Sequence, residues 1–104
     1  MLKVQMFEHA VHVRGHAGFA GVGQDIVCAA VSTLFFTLAE HLSRRTEVED
    51  DIGSGYAYLR WEGDGGEAVE MFRCGVEMIA EQYPDCVELV RNDEGARKWK
   101  FYLD

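Results

Sequence analysis

Only one proline, at position 84, interrupts this chain, and no stretch of it is compositionally biased. That excludes proline-rich and low-complexity disordered classes. Paired cysteines are also missing. Cys28, Cys74 and Cys86 form no CxxC motif, and an odd count argues against a disulfide framework and leaves at least one free thiol. Positive charge is scarce: 10 Lys and Arg stand against 18 Asp and Glu, a net charge of −8. Such a chain repels a phosphate backbone at long range, so direct nucleic-acid binding is disfavoured and cationic chains are favoured as partners. The longest apolar segment, residues 26–42, is broken by Ser32, Thr33, Thr37, Glu40 and His41, and no membrane span is expected. The opening MLKVQMFEHAVHV alternates in polarity and has neither a basic n-region nor a signal h-region. The expectation is a cytoplasmic protein.

What is present suits a folded domain. Hydrophobic residues make up 48% of 104 residues, which predicts a single domain over 1–104. At this size folding buries roughly 65% of the unfolded chain's surface, enough for one core and one cleft.

Alternation of Leu2, Val4 and Met6 with Lys3 and Gln5 predicts a strand over 2–8, and Val11 and Val13 against His12 and Arg14 predict a second over 10–17. Residues 18–24 carry Gly18, Gly21 and Gly23 among small side chains and predict a mobile loop. Asp25 is a favoured N-cap. After it Val27, Val31, Leu34, Leu38 and Leu42 recur at helical spacing, with Arg44 and Arg45 expected in the last turn. TEVEDD (46–51) is expected to be a solvated connection, GYAYLRW (55–61) a strand, EGDGG (62–66) a turn, and 67–83 a helix stopped by Pro84. CVELVRN (86–92) predicts a further strand, and KWKFYLD (98–104) a possible last one. The order β-β-α-β-α-β, plus a possible C-terminal strand, predicts an α+β two-layer sandwich: a mixed, mostly antiparallel sheet with two helices.

The chemistry concentrates in GHAGFAGVGQDIVCAAVS, residues 15–32. With Asp25 as N-cap, Cys28 stands at the third helical position, where unpaired N–H groups and the helix dipole favour a thiolate. The same N–H groups are candidates to hold an oxyanion. The Asp25 carboxylate opposes the thiolate unless it is occupied in capping or pairing. An imidazolium nearby reverses the balance. His16, at the junction of the second strand and the glycine loop, is the favoured source; His12, one strand repeat further back, is the competitor. Ser32 lies one turn deeper on the Cys28 face, placed either to bond the loop or histidine or to bond its own preceding turn. Tyr56 and Tyr58 are candidates to line a cleft, though strand tyrosines are commonplace.

Blander readings stand beside these. A helical cysteine among Val and Ala usually packs in the core, and Cys74 and Cys86 are read that way. His9, His12, His16 and Cys28 invite a metal reading, but His9 has the opposite strand parity and no second ligand cluster appears; no metal is assigned. GFAGVG lacks the Lys-Ser or Lys-Thr of a phosphate loop.

The motif resembles the ribosomal-processing cysteine protease family: Gly15-His16-Ala17, a short glycine-containing loop, then Gly23 and Asp25-Ile26-Val27-Cys28-Ala29-Ala30-Val31-Ser32. The resemblance implies a cofactor-free Cys–His endopeptidase with His16 as general base and Cys28 as nucleophile. Asp25 and Ser32 match supporting motif positions, and Gly18, Gly21 and Gly23 a loop that admits substrate. It further implies a homodimer that trims the N-terminal extension of large-subunit ribosomal protein twenty-seven, with an apolar groove for the aromatic-containing cleavage site. The alternatives are an acidic, non-catalytic chaperone for a basic ribosomal protein and a metal-binding regulator.

Overall fold

The computed structural model describes residues 1–18 and 25–91. Gly21 and Gly23 of the expected loop and the expected strand at 98–104 lie outside those residues. Strands β1 (Leu2–Met6) and β2 (Ala10–Arg14) are followed by helix α1 (Ile26–Ser43), strands β3 (Val48–Gly53) and β4 (Tyr56–Trp61), helix α2 (Gly66–Gln82) and strand β5 (Val87–Arg91). The sheet runs β3-β4-β2-β1-β5. Three pairings are antiparallel and β1 with β5 is parallel, which makes the mixed sheet of the expected α+β class.

The one strand missing from the sequence expectation is β3, which occupies the segment read as a solvated acidic connection. As an edge strand it pairs on one side only, Val48 with Trp61 through Gly53 with Tyr56. Glu49, Asp50 and Asp51 are all exposed, so no hydrophobic alternation announces it. Charges on an edge strand also discourage pairing with another chain.

Period-two alternation elsewhere sends Leu2, Val4, Met6, Val11, Val13, Leu59, Trp61 and Val87 to one face of the sheet. There they meet Val27, Val31, Phe35, Leu38 and Leu42 of α1 and Phe72 and Val76 of α2 in one buried cluster. Each large side chain so buried contributes about 1.5–3 kcal/mol. By length and composition α1, with a mean hydropathy of 1.6, is long and apolar enough to cross a membrane. In this fold, however, its apolar stripe is spent on the sheet.

Asp25 caps α1 as expected, in extended geometry at φ −84° and ψ 97°. The other end differs slightly. The helix stops at Ser43, Arg44 is its C-cap and Arg45 lies beyond, so His41 is the basic residue of the last turn. The Arg44 N–H bonds the carbonyls of His41 and Leu42, and its guanidinium pairs with Glu40 at 3.0 Å.

Candidate active site

β2 ends where Gly15 adopts φ +89°. A Cβ at this position would sit 2.4 Å from the Met1 carbonyl oxygen, so only glycine fits the turn. This bend breaks the strand's alternation. His12 and Arg14 stay with the sheet face away from the helices, whereas His16 reaches a cavity on the helix side. The Gly15 N–H donates to the Gly55 carbonyl at 2.8 Å, tying the end of β2 to the β3–β4 turn. Ala17, the next residue after His16, is buried, and its N–H donates to Cys28 Sγ at 3.2 Å.

Cys28 is half-buried in the first turn of α1. The Asp25 carboxylate accepts from the N–H of Val27 at 3.0 Å and of Cys28 at 2.9 Å. Its charge is therefore occupied in capping, which weakens its opposition to a thiolate. The same bonds correct one expectation. The N–H groups of Val27 and Cys28 are already engaged by Asp25, so neither is free in this arrangement to hold an oxyanion. The backbone N–H that addresses the sulfur comes instead from Ala17. Donation to sulfur favours the charged form. No side-chain pattern encodes it, because the donor belongs to the main chain; the small residue after His16 was the only signal.

His16 and Cys28 line the same cavity of about 300 Å³, together with Ser32. Among the described residues no hydrogen bond joins imidazole to sulfur, so the pair shares the cavity without being engaged. Ser32 is exposed, and among the described residues its hydroxyl bonds neither His16 nor its own preceding turn. Phe36, Ile52 and Tyr56 also line the cavity and remain 51%, 45% and 40% exposed. Ile52 comes from the strand that sequence reasoning missed. Gly18 keeps φ +72° with open space around it.

The competing residues lie elsewhere. His12 is half-buried on the far face, its ring edge-on to Tyr58 at 6.2 Å, and burial followed by the Arg14 charge pushes its pKa down. Burial is also the main reason that the Tyr58 hydroxyl is pushed up to about 12. Tyr56 donates to Asp51 at 3.1 Å, a bond that raises its pKa. His9 sits in the β1–β2 turn with Nδ1 2.5 Å from the Gly63 carbonyl. Among the described residues no three His, Cys, Asp or Glu side chains are grouped to hold a metal. Cys86 packs partly against the core, but Cys74 is exposed on α2, contrary to the packing role expected of it. A larger groove, of about 690 Å³, lies between the second half of α1 and the start of α2. It contains neither His16 nor Cys28.

A small α+β domain with a thiol in the first turn of its central helix, and a histidine facing the same cleft, has the parts of a cysteine-nucleophile enzyme. The sequence profile of the cysteine protease Prp family matches residues 1–88, and this chain belongs to that family. The ribosomal processing cysteine protease Prp of Mycoplasma pneumoniae is 53% identical over 36 residues, which are 35% of this chain. The matched stretch spans only 36% of that relative's length. A crystal structure of the essential ribosomal processing protease Prp from S. aureus, with a covalently linked product peptide, superimposes at a TM-score of 0.72. It is 20% identical and the alignment covers 88% of this chain and 97% of that one. A Streptococcus mutans crystal structure also gives a TM-score of 0.72, with 26% identity over 89% of this chain and 95% of that one.

Proposed function

We propose that this chain is a cysteine endopeptidase that removes the N-terminal extension of large-subunit ribosomal protein twenty-seven. Cys28 is the nucleophile and His16 the general base. The observation that carries this reading is the placement of Cys28 Sγ at the start of α1, with the Ala17 N–H on it at 3.2 Å, in a cavity shared with His16.

His16 takes the thiol proton, and the thiolate attacks the scissile carbonyl carbon. The tetrahedral intermediate collapses as His16 returns that proton to the departing amine. The resulting thioester is hydrolysed by a water that His16 deprotonates, which frees the carboxylate and restores the thiol. Asp25 supports the site by capping α1, and Ser32 lines the cleft one turn further along. Phe36, Ile52 and Ala57 supply the apolar wall that suits an aromatic-containing cleavage sequence. The net charge of −8 favours encounter with a basic ribosomal protein. We further propose, on the resemblance carried by residues 15–32, that it acts as a cytoplasmic homodimer.

The direct test is to incubate the protein with the full-length ribosomal protein of the same organism and read the product mass. A product shortened by the N-terminal extension supports the reading; an uncut chain refutes it. The net charge alone also suits an acidic chaperone that binds the basic protein without cutting it. His16→Ala separates the two, because a chaperone protects its partner as before whereas a protease binds without cleaving.

A further inference from the structure

We infer that Gly55, in the turn between β3 and β4, is a positioning residue for His16. This rests on the reading of His16 as general base.

Two contacts converge on this glycine. Its carbonyl accepts the Gly15 N–H at 2.8 Å, which extends the β2–β4 ladder one residue beyond the Arg14–Tyr56 pair. The histidine's own backbone therefore leaves the sheet from a point clamped by the turn. Gly55 also faces the ring itself: a Cβ there would lie 3.4 Å from His16 Nε2. The bare Cα thus leaves the imidazole its space, and a longer side chain would compete for it. Since His16 and Cys28 line one cavity without a hydrogen bond between them, the ring has to move to engage the sulfur. The turn sets both its pivot and its clearance. Misplacing a reacting group by about 1 Å costs on the order of 100-fold in rate.

Gly63 supplies the control. Its φ of +83° nearly equals the +79° of Gly55, but nothing lies within 4 Å of a Cβ built on it. Asparagine tolerates this left-handed conformation better than other side chains, so Gly55→Asn and Gly63→Asn carry the same backbone strain and differ in what they touch.

Steady-state cleavage of an extension peptide and the rate of Cys28 alkylation at pH 6.5 are measured for both variants. For Gly55→Asn, kcat is expected to fall at least about tenfold with KM within about twofold, and alkylation to slow in parallel. Gly63→Asn is expected to change neither. If Gly55→Asn fails to fold, Gly55→Ser, whose side chain also reaches beyond the Cβ, replaces it, with the same direction and a smaller loss. A kcat within about twofold of the parent in the folded Gly55 variant, or an equal loss in Gly63→Asn, overturns the inference. Full cleavage by His16→Ala overturns it as well, together with the function it rests on. Loss of cleavage in His16→Ala alongside full activity in the Gly55 variant overturns the positioning role alone.

Discussion

The N–H of Ala17 donates to the sulfur of Cys28 at 3.2 Å across eleven residues of sequence. The residue following the candidate base is thereby fastened to the candidate nucleophile, and the sulfur gains a donor that stabilises negative charge. Such a donor would make the half-buried Cys28 more reactive than the exposed Cys74.

Alkylation should reveal this difference directly. Cys74 is exposed and Cys28 half-buried, so accessibility alone predicts that Cys74 reacts first. An activated Cys28 reverses the order near neutral pH. Peptide mapping after a limiting pulse of iodoacetamide should find the label on Cys28; faster labelling of Cys74 would contradict activation.

Removal of the sulfur separates chemistry from folding. Cys28→Ala should lower cleavage by at least about 1,000-fold, the scale on which a nucleophile contributes. The fold should persist, since a half-buried thiol is a small part of the core. A circular dichroism melt together with a cleavage assay on one preparation checks both statements.

Asp25 works on the helix. Asp25→Ala strands the N–H groups of Val27 and Cys28, with an expected loss of about 1 kcal/mol. For a domain of this size that lowers the melting temperature by roughly 4–8 °C. Asp25→Asn keeps an oxygen acceptor without the charge and should retain most of that stability. Equal destabilisation by both changes would mean that the charge, and not the cap, is what matters.

The cavity wall should govern substrate use. Phe36 and Ile52 are half-exposed, so Phe36→Ser and Ile52→Ser should leave the melting temperature nearly unchanged. Loss of apolar contact with an aromatic-containing substrate should lower kcat/KM by about 10- to 200-fold. An undiminished kcat/KM in both variants would remove this wall from substrate recognition.

Two groups on the far face of the sheet should affect stability in opposite pH ranges. The folded-state pKa of His12 is lowered, so the unfolded chain takes up its proton first as pH falls below about 6.5, and stability is lost on acidification. Tyr58 is raised to about 12, so above its ordinary pKa near 10 the unfolded chain ionises first and stability falls with rising pH. Urea midpoints should therefore drop less between pH 7 and 5 in His12→Gln than in the parent. Tyr58→Phe should flatten the decline above pH 10. Parallel curves for parent and variant would refute the assignment in either case.

Much of this was legible locally. The Asp25 cap, the stripe from Val27 to Leu42, the alternation of β1, β2 and β4 and the stop at Pro84 are short-range patterns. Each is set by dihedral preferences and spacing within one element, and each appears in the structure within a few residues of where it was read. The resemblance in residues 15–32 led to the family that the profile match shows. β3 was not legible, because an edge strand is held by backbone bonds to β4 and needs no buried side chains of its own.

The primary sequence by itself determined which residues could be buried and which turn of which helix would hold the thiol, whereas it ran the second strand on through Gly15, where the structure ends it at Arg14. Only the tertiary structure decided that the bend at Gly15 carries His16 to the helix side while His12 stays behind. It alone placed the Ala17 N–H on the sulfur and brought Ile52 and Gly55 to the cavity from a distant hairpin. Those relationships depend on register and on main-chain hydrogen bonds between segments far apart in the chain, and side-chain identity read along one strand carries no record of either.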